Sequence, residues 1–202
     1  MKWFIENLKT LFYALIIAVI IRSLLIQPFY IPSSSMEPNL LVGDRLFVTK
    51  LSYGYSRHSF PFSPPIFDGR ILNSKPSRGD IIVFKTPADN RTDYIKRLVG
   101  LPGDVIQFID GEIYLNNNQI FRTVISKSDE LYCGPQKIEV ITYEEKLPNG
   151  KNYLASYRKD YTFMNSEKYI VPENHFFFLG DNRDCSCLLY TSDAADEEDS
   201  VD

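Results

Sequence analysis

The residues best suited to chemistry are three consecutive serines, Ser33 to Ser35, within the stretch 31–38. Pro32 and Pro38 fix the backbone on either side and disfavour a helix there. A serine-rich run of this kind is typical of a turn. A serine hydroxyl becomes a good nucleophile only when a neighbouring group takes its proton. If one of these serines is catalytic, the rest of the chain must supply a base.

The candidate base is Lys96, which lies in a short apolar segment, 94–99. In a strand, alternation places Lys96 on the same face as Tyr94 and Leu98. Burial among such neighbours disfavours the ammonium form and lowers the pKa of a lysine. A lysine with a lowered pKa can act as a general base near neutral pH. A lysine on an edge strand would instead only protect that edge from aggregation, and the segment alone leaves both interpretations open.

Other reactive side chains give weaker signals. His58 and His175 have no acidic or metal-binding partner at a useful spacing, and both are interpreted as structural or surface residues. Cys133 stands alone, and Cys185 and Cys187 are too close together for a zinc pair of the usual spacing. There is no glycine loop of the kind that holds phosphates. The sequence therefore predicts no metal, no cofactor and no disulfide framework.

The composition is that of a folded domain. The chain has 202 residues, of which 44% are hydrophobic and 14% aromatic, enough for one core and an additional anchor. Six of the 26 acidic residues lie in 188–202, which has no Lys or Arg, so the remainder carries 20 acids and 22 bases. No basic block is present. A nucleic-acid partner is therefore not expected.

The N-terminus predicts a membrane anchor. The apolar run 11–21 would span only about 16 Å as a helix, but extension to 3–26 is long enough for a bilayer core of ~30 Å. Lys2 and Lys9 precede the run, which predicts a cytoplasmic N-terminus and a body on the outer side. A cleaved signal peptide is disfavoured because no small-x-small site directly follows Ile21, and Ser33 to Ser35, which could serve as one, lie far from the apolar run and next to prolines. A buried core helix is the third alternative.

The sequence pattern of the body predicts a series of short strands. Strands are predicted on both sides of a Gly43-Asp44 turn, a hairpin is predicted around Asp110-Gly111, and residues 127–168 are predicted to be mostly irregular. The segments predicted as strands are 40–42, 46–48, 81–84, 94–99, 105–109, 112–115, 119–121 and 176–179. Many strands with few helical patterns predict a mostly β body behind one transmembrane helix.

Three motifs occur in order behind the anchor: Ser-Ser-Met-Glu-Pro at 34–38, Tyr-Ile-Lys-Arg-Leu-Val-Gly-Leu-Pro-Gly-Asp at 94–104, and Gly-Asp-Asn-Arg-Asp-x-Ser at 180–186. Together they resemble bacterial type I signal peptidase, the membrane-bound leader peptidase, over residues 1–186. The second and third motifs are specific in combination, whereas the serine motif alone is weak. The resemblance implies a signal-peptidase-like β-barrel or sandwich as the body.

The resemblance also implies roles for individual residues. Ser35 matches the nucleophile and Lys96 the general base. Ser33 matches the serine whose hydroxyl joins the Ser35 N–H in the oxyanion hole, and Ser186 matches the serine that orients the lysine. Ser34 stands where many members have glycine. The positions that match the shallow pockets for small substrate residues are Phe29, Ile31, Met36, Leu40, Tyr94 and Ile95.

The implied activity is that of a serine endopeptidase. It would remove signal peptides of exported preproteins after small-x-small sites, using a Ser-Lys dyad and no cofactor. The implied partners are signal peptides and the lipid bilayer. The implied location is the bacterial inner membrane, with the catalytic domain on the periplasmic face. The expected organisation is an anchor at 1–27, an incomplete catalytic domain at 28–186 and a tail at 187–202.

The tail departs from the family pattern. Members continue with Asp-Ser-Arg and further strands, whereas residues 187–202 match nothing and resemble a foreign, artefactual sequence. Cys185 and Cys187 are then expected to carry no function. If missing strands left Lys96 exposed and protonated, the chain would be a membrane-tethered β domain that binds extended peptides without cutting them. A self-cleaving regulator is disfavoured by the anchor and by the absence of a DNA-binding helix pattern.

Overall fold

The computed structural model describes residues 2–55, 59–60, 69, 71–72, 74–86, 91–186 and 190–192. His58, Cys187 and most of the predicted tail lie outside the described residues. The described chain falls into two compact units. One lies within Met1–Phe29 and Arg45–Lys75, and the other lies within Tyr30–Asp44 and Pro76–Glu197.

The first unit begins with the helix α1, Lys2–Leu24. Its segment Trp3–Leu24 is long and apolar enough to cross a membrane, as the sequence predicted. The helix ends two residues before the predicted limit because Ile26–Tyr30 forms a strand that contains Pro28, which cannot continue a helix.

In the part of the chain that the structure describes, thirteen strands and a short helical turn follow α1. The turn is a 3₁₀ helix at Ser34–Met36. The strands are β1 Ile26–Tyr30, β2 Arg45–Thr49, β3 Ile81–Lys85, β4 Asp93–Gly100, β5 Val105–Ile109, β6 Glu112–Leu115, β7 Asn118–Gln119, β8 Phe121–Cys133, β9 Gln136–Lys146, β10 Asn152–Arg158, β11 Tyr169–Ile170, β12 Phe176–Leu179 and β13 Tyr190–Ser192. The mostly β fold behind an apolar helix is confirmed.

The sheet that carries the candidate base has the order β13-β12-β4-β3. Lys96 lies on β4 opposite Ile82 of β3, and Phe178 of β12 pairs with Leu98 on the other side. Because β4 has a partner on both sides, Lys96 is not an edge-strand residue. β13 belongs to the tail that was predicted to be foreign, and it pairs antiparallel with β12.

A second four-stranded sheet has the order β11-β5-β6-β7 and contains the predicted hairpin. At the turn between β5 and β6, Asp110 has a φ of 50° and Gly111 a φ of 76°. Both positive angles suit the tight turn that Asp-Gly favours. Buried side chains of this hairpin join the main apolar core, which includes Val99, Ile106, Ile113, Leu115, Leu147, Val171 and Phe177.

Two strand predictions were wrong. Residues 40–42 form a turn because the Leu41 N–H donates to Asp44 Oδ2 at 2.8 Å and the Asp44 N–H donates to Leu41 O at 3.1 Å. Residues 127–168 are not mostly irregular, since β8, β9 and β10 form an antiparallel sheet. β8 shifts register twice between Val124 and Asp129, which interrupts its strand alternation in the sequence, whereas 138–141 and 153–157 show alternation within β9 and β10.

The cysteine prediction also needs correction. Cys133, at the end of β8, forms a disulfide with Cys185, and their Cα atoms are 5.3 Å apart. The expectations of no disulfide framework and of no role for Cys185 were therefore wrong. A separation of 52 residues hides this pairing in the sequence, because the two thiols come together only in the folded chain.

Candidate active site

The serine motif forms a buried turn in the second unit. Ser33 has an extended backbone, and Ser34–Met36 then make the single 3₁₀ turn. Asn182 holds this turn, because its N–H donates to Ser35 O at 3.1 Å and its Nδ2 donates to Ser34 O at 3.1 Å. Only 8% of Ser35 is exposed, so its hydroxyl lies in a largely desolvated site.

Lys96 lies directly beside the Ser35 hydroxyl. Its Nζ is 2.6 Å from Ser35 Oγ, and the residue is 6% exposed. Burial lowers the pKa of Lys96 to about 8, although the charge of Asp181 acts in the opposite direction. The arrangement can move a proton from a serine to an amine. The exposed lysine that the peptide-binding alternative required is not found.

Ser33 is the second hydroxyl at the site. Its Oγ is 3.4 Å from Ser35 Oγ, at the limit of a hydrogen bond. A hydroxyl at this distance from the nucleophile is within reach of an oxygen bonded to the attacked carbon. The position is compatible with the oxyanion role that the resemblance implies, and that role stays a prediction.

Ser186 is buried at the same site but has a different partner from the one implied. Its Oγ accepts a hydrogen bond from the Gly180 N–H at 3.1 Å. In the part of the chain that the structure describes, Lys96 Nζ donates to Ser35 Oγ and makes no direct hydrogen bond with Ser186. The role of Ser186 in orienting Lys96 stays a prediction.

Gly180 leaves no room for a side chain. A Cβ there would lie 2.3 Å from Ser186 Oγ and 2.4 Å from the Ser35 carbonyl oxygen. We expect Gly180→Ala to displace one or both serines and to lower kcat at least about 10²-fold, as small misplacements of reacting groups do. Gly150→Ala, in the exposed turn between β9 and β10, is the control: nothing lies within 4 Å of a Cβ there, and its φ of 85° makes it a test of backbone strain without a clash. Activity assays on the purified variants check this, and a normal kcat for Gly180→Ala would contradict it.

An ion pair lies behind the dyad. Arg97 donates from Nε to Asp181 Oδ1 and from Nη2 to Asp181 Oδ2, both at 2.7 Å. Asn39 Nδ2 donates to Asp181 Oδ2 at 2.7 Å. Burial raises the pKa of Asp181, and the hydrogen bonds from Arg97 oppose that shift. The pair fixes β4 to the segment that follows β12. Asp181 lies in the third sequence motif, but no sequence signal pointed to Arg97 or Asn39 as its partners.

A second buried charge cluster surrounds Glu145. Its carboxylate accepts hydrogen bonds from Tyr153 at 2.7 Å, from Tyr157 at 2.5 Å and from Arg183 Nη2 at 2.7 Å. Burial raises the pKa of both tyrosines, so both hydroxyls stay protonated and donate. Glu145 lies in the region predicted to be irregular, and no sequence signal pointed to it.

The predicted pocket residues differ in exposure. In the second unit, Leu40, Tyr94 and Ile95 are partly exposed, whereas Ile31 and Met36 are buried. Phe29 belongs to the first unit, on β1, and is partly exposed. Their roles in substrate binding stay predictions.

Comparison with known proteins identifies the family of the chain. Residues 4–187 match the family model described as signal peptidase, peptidase S26. Signal peptidase I of Rickettsia typhi is 43% identical over 184 residues, covering 86% of this chain and 68% of that protein. Signal peptidase I of Rickettsia akari is 44% identical over 184 residues, covering 86% of this chain and 67% of that protein. A crystal structure of a signal peptidase I from Enterococcus faecalis V583 matches with a TM-score of 0.31 and 24% identity, covering 62% of this chain and 96% of that chain. The chain belongs to the signal peptidase family, peptidase S26, whose members are serine peptidases.

Proposed function

We propose that the chain is a membrane-anchored serine endopeptidase that removes signal peptides from exported preproteins after small-x-small sites. Ser35 is the nucleophile and Lys96 the general base. The observation that carries the proposal is the 2.6 Å contact between Ser35 Oγ and Nζ of a buried lysine whose pKa is lowered to about 8. Family membership supports the substrate class.

In the proposed mechanism, neutral Lys96 accepts the Ser35 proton as Oγ attacks the scissile carbonyl. The negative charge that develops on the carbonyl oxygen is stabilised by the Ser35 N–H and the Ser33 hydroxyl. The Lys96 ammonium then donates its proton to the leaving amine, which frees the mature protein and leaves an acyl-enzyme. Lys96, neutral again, activates a water that hydrolyses the ester and releases the signal peptide.

The proposed substrate binds as an extended strand, with its small side chains in shallow pockets near Leu40, Tyr94 and Ile95. The helix α1 would hold this site at the bilayer surface. Lys2 and Lys9 favour a cytoplasmic N-terminus, which would place the catalytic unit on the outer face of a bacterial inner membrane.

The test is cleavage of a preprotein with an Ala-x-Ala site by the full chain in detergent micelles. We expect cleavage after the second alanine, and a loss of kcat of at least about 10³-fold in Ser35→Ala because no other nucleophile is activated. Ser34→Ala is the matched control and should retain activity, since this neighbouring hydroxyl has no role in the mechanism. Equal cleavage by wild type and Ser35→Ala would exclude Ser35 as the nucleophile.

The pH dependence follows from the lowered pKa of Lys96. Only the neutral amine can accept the serine proton, so kcat/KM should rise tenfold per pH unit at low pH and level off above a pH of about 8. An exposed lysine would place the midpoint near its ordinary value of 10.5. Initial rates measured between pH 6 and 10 on a pH-stable peptide check this. A midpoint near 6.5, the ordinary pKa of histidine, would point to a different base.

A further inference from the structure

The disulfide between Cys133 and Cys185 has no part in the proposed chemistry, yet it lies at the edge of the site. Cys185 directly precedes Ser186, and Cys133 ends the long strand β8. Both cysteines are partly exposed, so a small thiol can reach the bond. The disulfide therefore connects the tip of the β8–β9 hairpin to the segment that carries a buried serine of the site.

The hairpin tip also contacts the nucleophile turn. The Tyr132 N–H donates to Glu37 Oε2 at 3.3 Å, and Glu37 lies two residues after Ser35. Tyr132 O accepts a hydrogen bond from Asn182 Nδ2 at 3.2 Å. Since the same Asn182 holds Ser34 O and Ser35 O, the residue next to Cys133 is hydrogen-bonded to both segments that form the site.

The packing around Ser186 leaves little freedom for movement. Its side chain lies so close to Gly180 that a single added carbon would overlap with it and with the Ser35 carbonyl oxygen. A displacement of Cys185 would move Ser186, its neighbour in the chain. A displaced Ser186 would change its contacts with Gly180, which also lies against the Ser35 carbonyl oxygen. The disulfide and the Tyr132 hydrogen bonds therefore restrain the nucleophile from two directions.

We infer that the Cys133–Cys185 disulfide is a positioning element for the Ser35–Lys96 pair and that its reduction slows catalysis without unfolding the domain. The inference rests on the proposed function. A dithiol thiolate attacks one sulfur of the disulfide and releases the other as a thiolate, and its second thiol then closes a ring. Two electrons pass to the protein sulfurs, two protons end on Cys133 and Cys185, and the dithiol becomes a cyclic disulfide.

The experiment uses the full chain in detergent with Cys187→Ser as background, so that Cys187 cannot replace either partner. Dithiothreitol reduces the protein, and kcat and KM on an Ala-x-Ala peptide are compared before reduction, after reduction and after reoxidation. Cys133→Ser/Cys185→Ser in the same background is the matched control. Near-UV circular dichroism at the assay temperature shows whether the reduced domain is folded.

We expect reduction to lower kcat at least about tenfold, with a much smaller change in KM, because a small displacement of reacting groups affects the transition state most. Reoxidation should restore kcat, and the double serine variant should have the low kcat and no response to dithiothreitol. The pKa of Lys96 can be followed by NMR on protein labelled with ¹³C at its lysines, and the Lys96→Met spectrum assigns its signal. On reduction this pKa should rise, because a displaced site gives the amine more access to solvent.

The outcomes separate this inference from the proposed function. Cleavage that is unchanged by reduction would overturn the positioning role and leave the peptidase intact. A loss of kcat that follows a loss of the near-UV signal would also overturn it, since the disulfide would then only stabilise the fold. An oxidised chain that does not cleave, but whose Lys96 pKa still moves on reduction, would overturn the proposed function and support the positioning role.

Discussion

Replacing Lys96 with methionine should lower kcat at least about 10³-fold, because Ser35 then has no base. Methionine has an unbranched side chain of similar length, so it fills the same space without the amine. The residue lies on the interior strand β4 and is 6% exposed, so no solvent-exposed amine can replace it, and the expected loss is as large as that for Ser35→Ala. Steady-state rates on an Ala-x-Ala peptide measure the change.

The same variant should not be less stable than the wild type. The native pKa of Lys96 is about 8, whereas the unfolded chain has the ordinary value of 10.5. The unfolded state therefore binds the proton of Lys96 more tightly than the folded state does. Below pH 8 this difference lowers the free energy of unfolding in full. The loss shrinks as the pH rises and disappears above about 10.5. Thermal melts at pH 7 should give an equal or higher Tm for Lys96→Met.

The control for activity is Lys168→Met, which replaces an exposed lysine that donates a hydrogen bond to Asn117. This variant should keep full activity. A Lys96→Met protein with more than a tenth of wild-type kcat would show that another group is the base.

Replacing Asp181 with asparagine should have the largest effect on stability. The carboxylate accepts two hydrogen bonds from Arg97, and its side chain has no solvent-exposed surface. The amide keeps the shape but leaves the guanidinium buried without a counter-charge, which typically costs about 3–5 kcal/mol of unfolding free energy. Urea denaturation of the catalytic unit within the full chain measures the loss.

Asp181→Asn should also change the pH profile in a definite direction. The charge of Asp181 raises the pKa of Lys96, against the larger effect of burial. Without that charge the pKa of Lys96 should fall, and the rise of kcat/KM should move to lower pH. Glu130→Gln is the control, because the Glu130–Lys137 pair is exposed and such pairs contribute about 0–1 kcal/mol. An Asp181→Asn profile that moves to higher pH would contradict the assigned interaction.

The parts of the fold that could be predicted have strong local signals. The apolar helix is evident from its length, and the β5–β6 hairpin from Asp110-Gly111 between alternating residues. β4 and β12 were recognised because they are short apolar runs between turn residues. β8 was missed because most of its residues are exposed and register shifts interrupt its period of two, and β9 and β10 were recognised only as short alternating segments.

The site likewise has parts with a local sequence signal and parts without one. The contact between Ser35 and Lys96 could be predicted because each lies in a short motif and the chemistry proposed for one needs a partner of the other type. The Arg97–Asp181 pair, 84 residues apart, and the Arg183–Glu145 pair, 38 residues apart, could not be found. Opposite charges at such separations are common in any sequence, and only the pairing of β4 with β12 and the arrangement of β9 and β10 bring these groups together.

The edge of β8 that does not pair with β9 affects self-association of the protein at high concentration. The only ladder partner of β8 among the described strands is β9, so its other edge could accept a strand from a second molecule. The middle of that edge carries Lys127, Asp129 and Glu130 and is interrupted by bulges, and both features oppose strand addition. Phe121 and Val124 at its beginning are exposed and uncharged and precede the first register shift. Self-association in solution should therefore begin at residues 121–124, and Val124→Lys should suppress it.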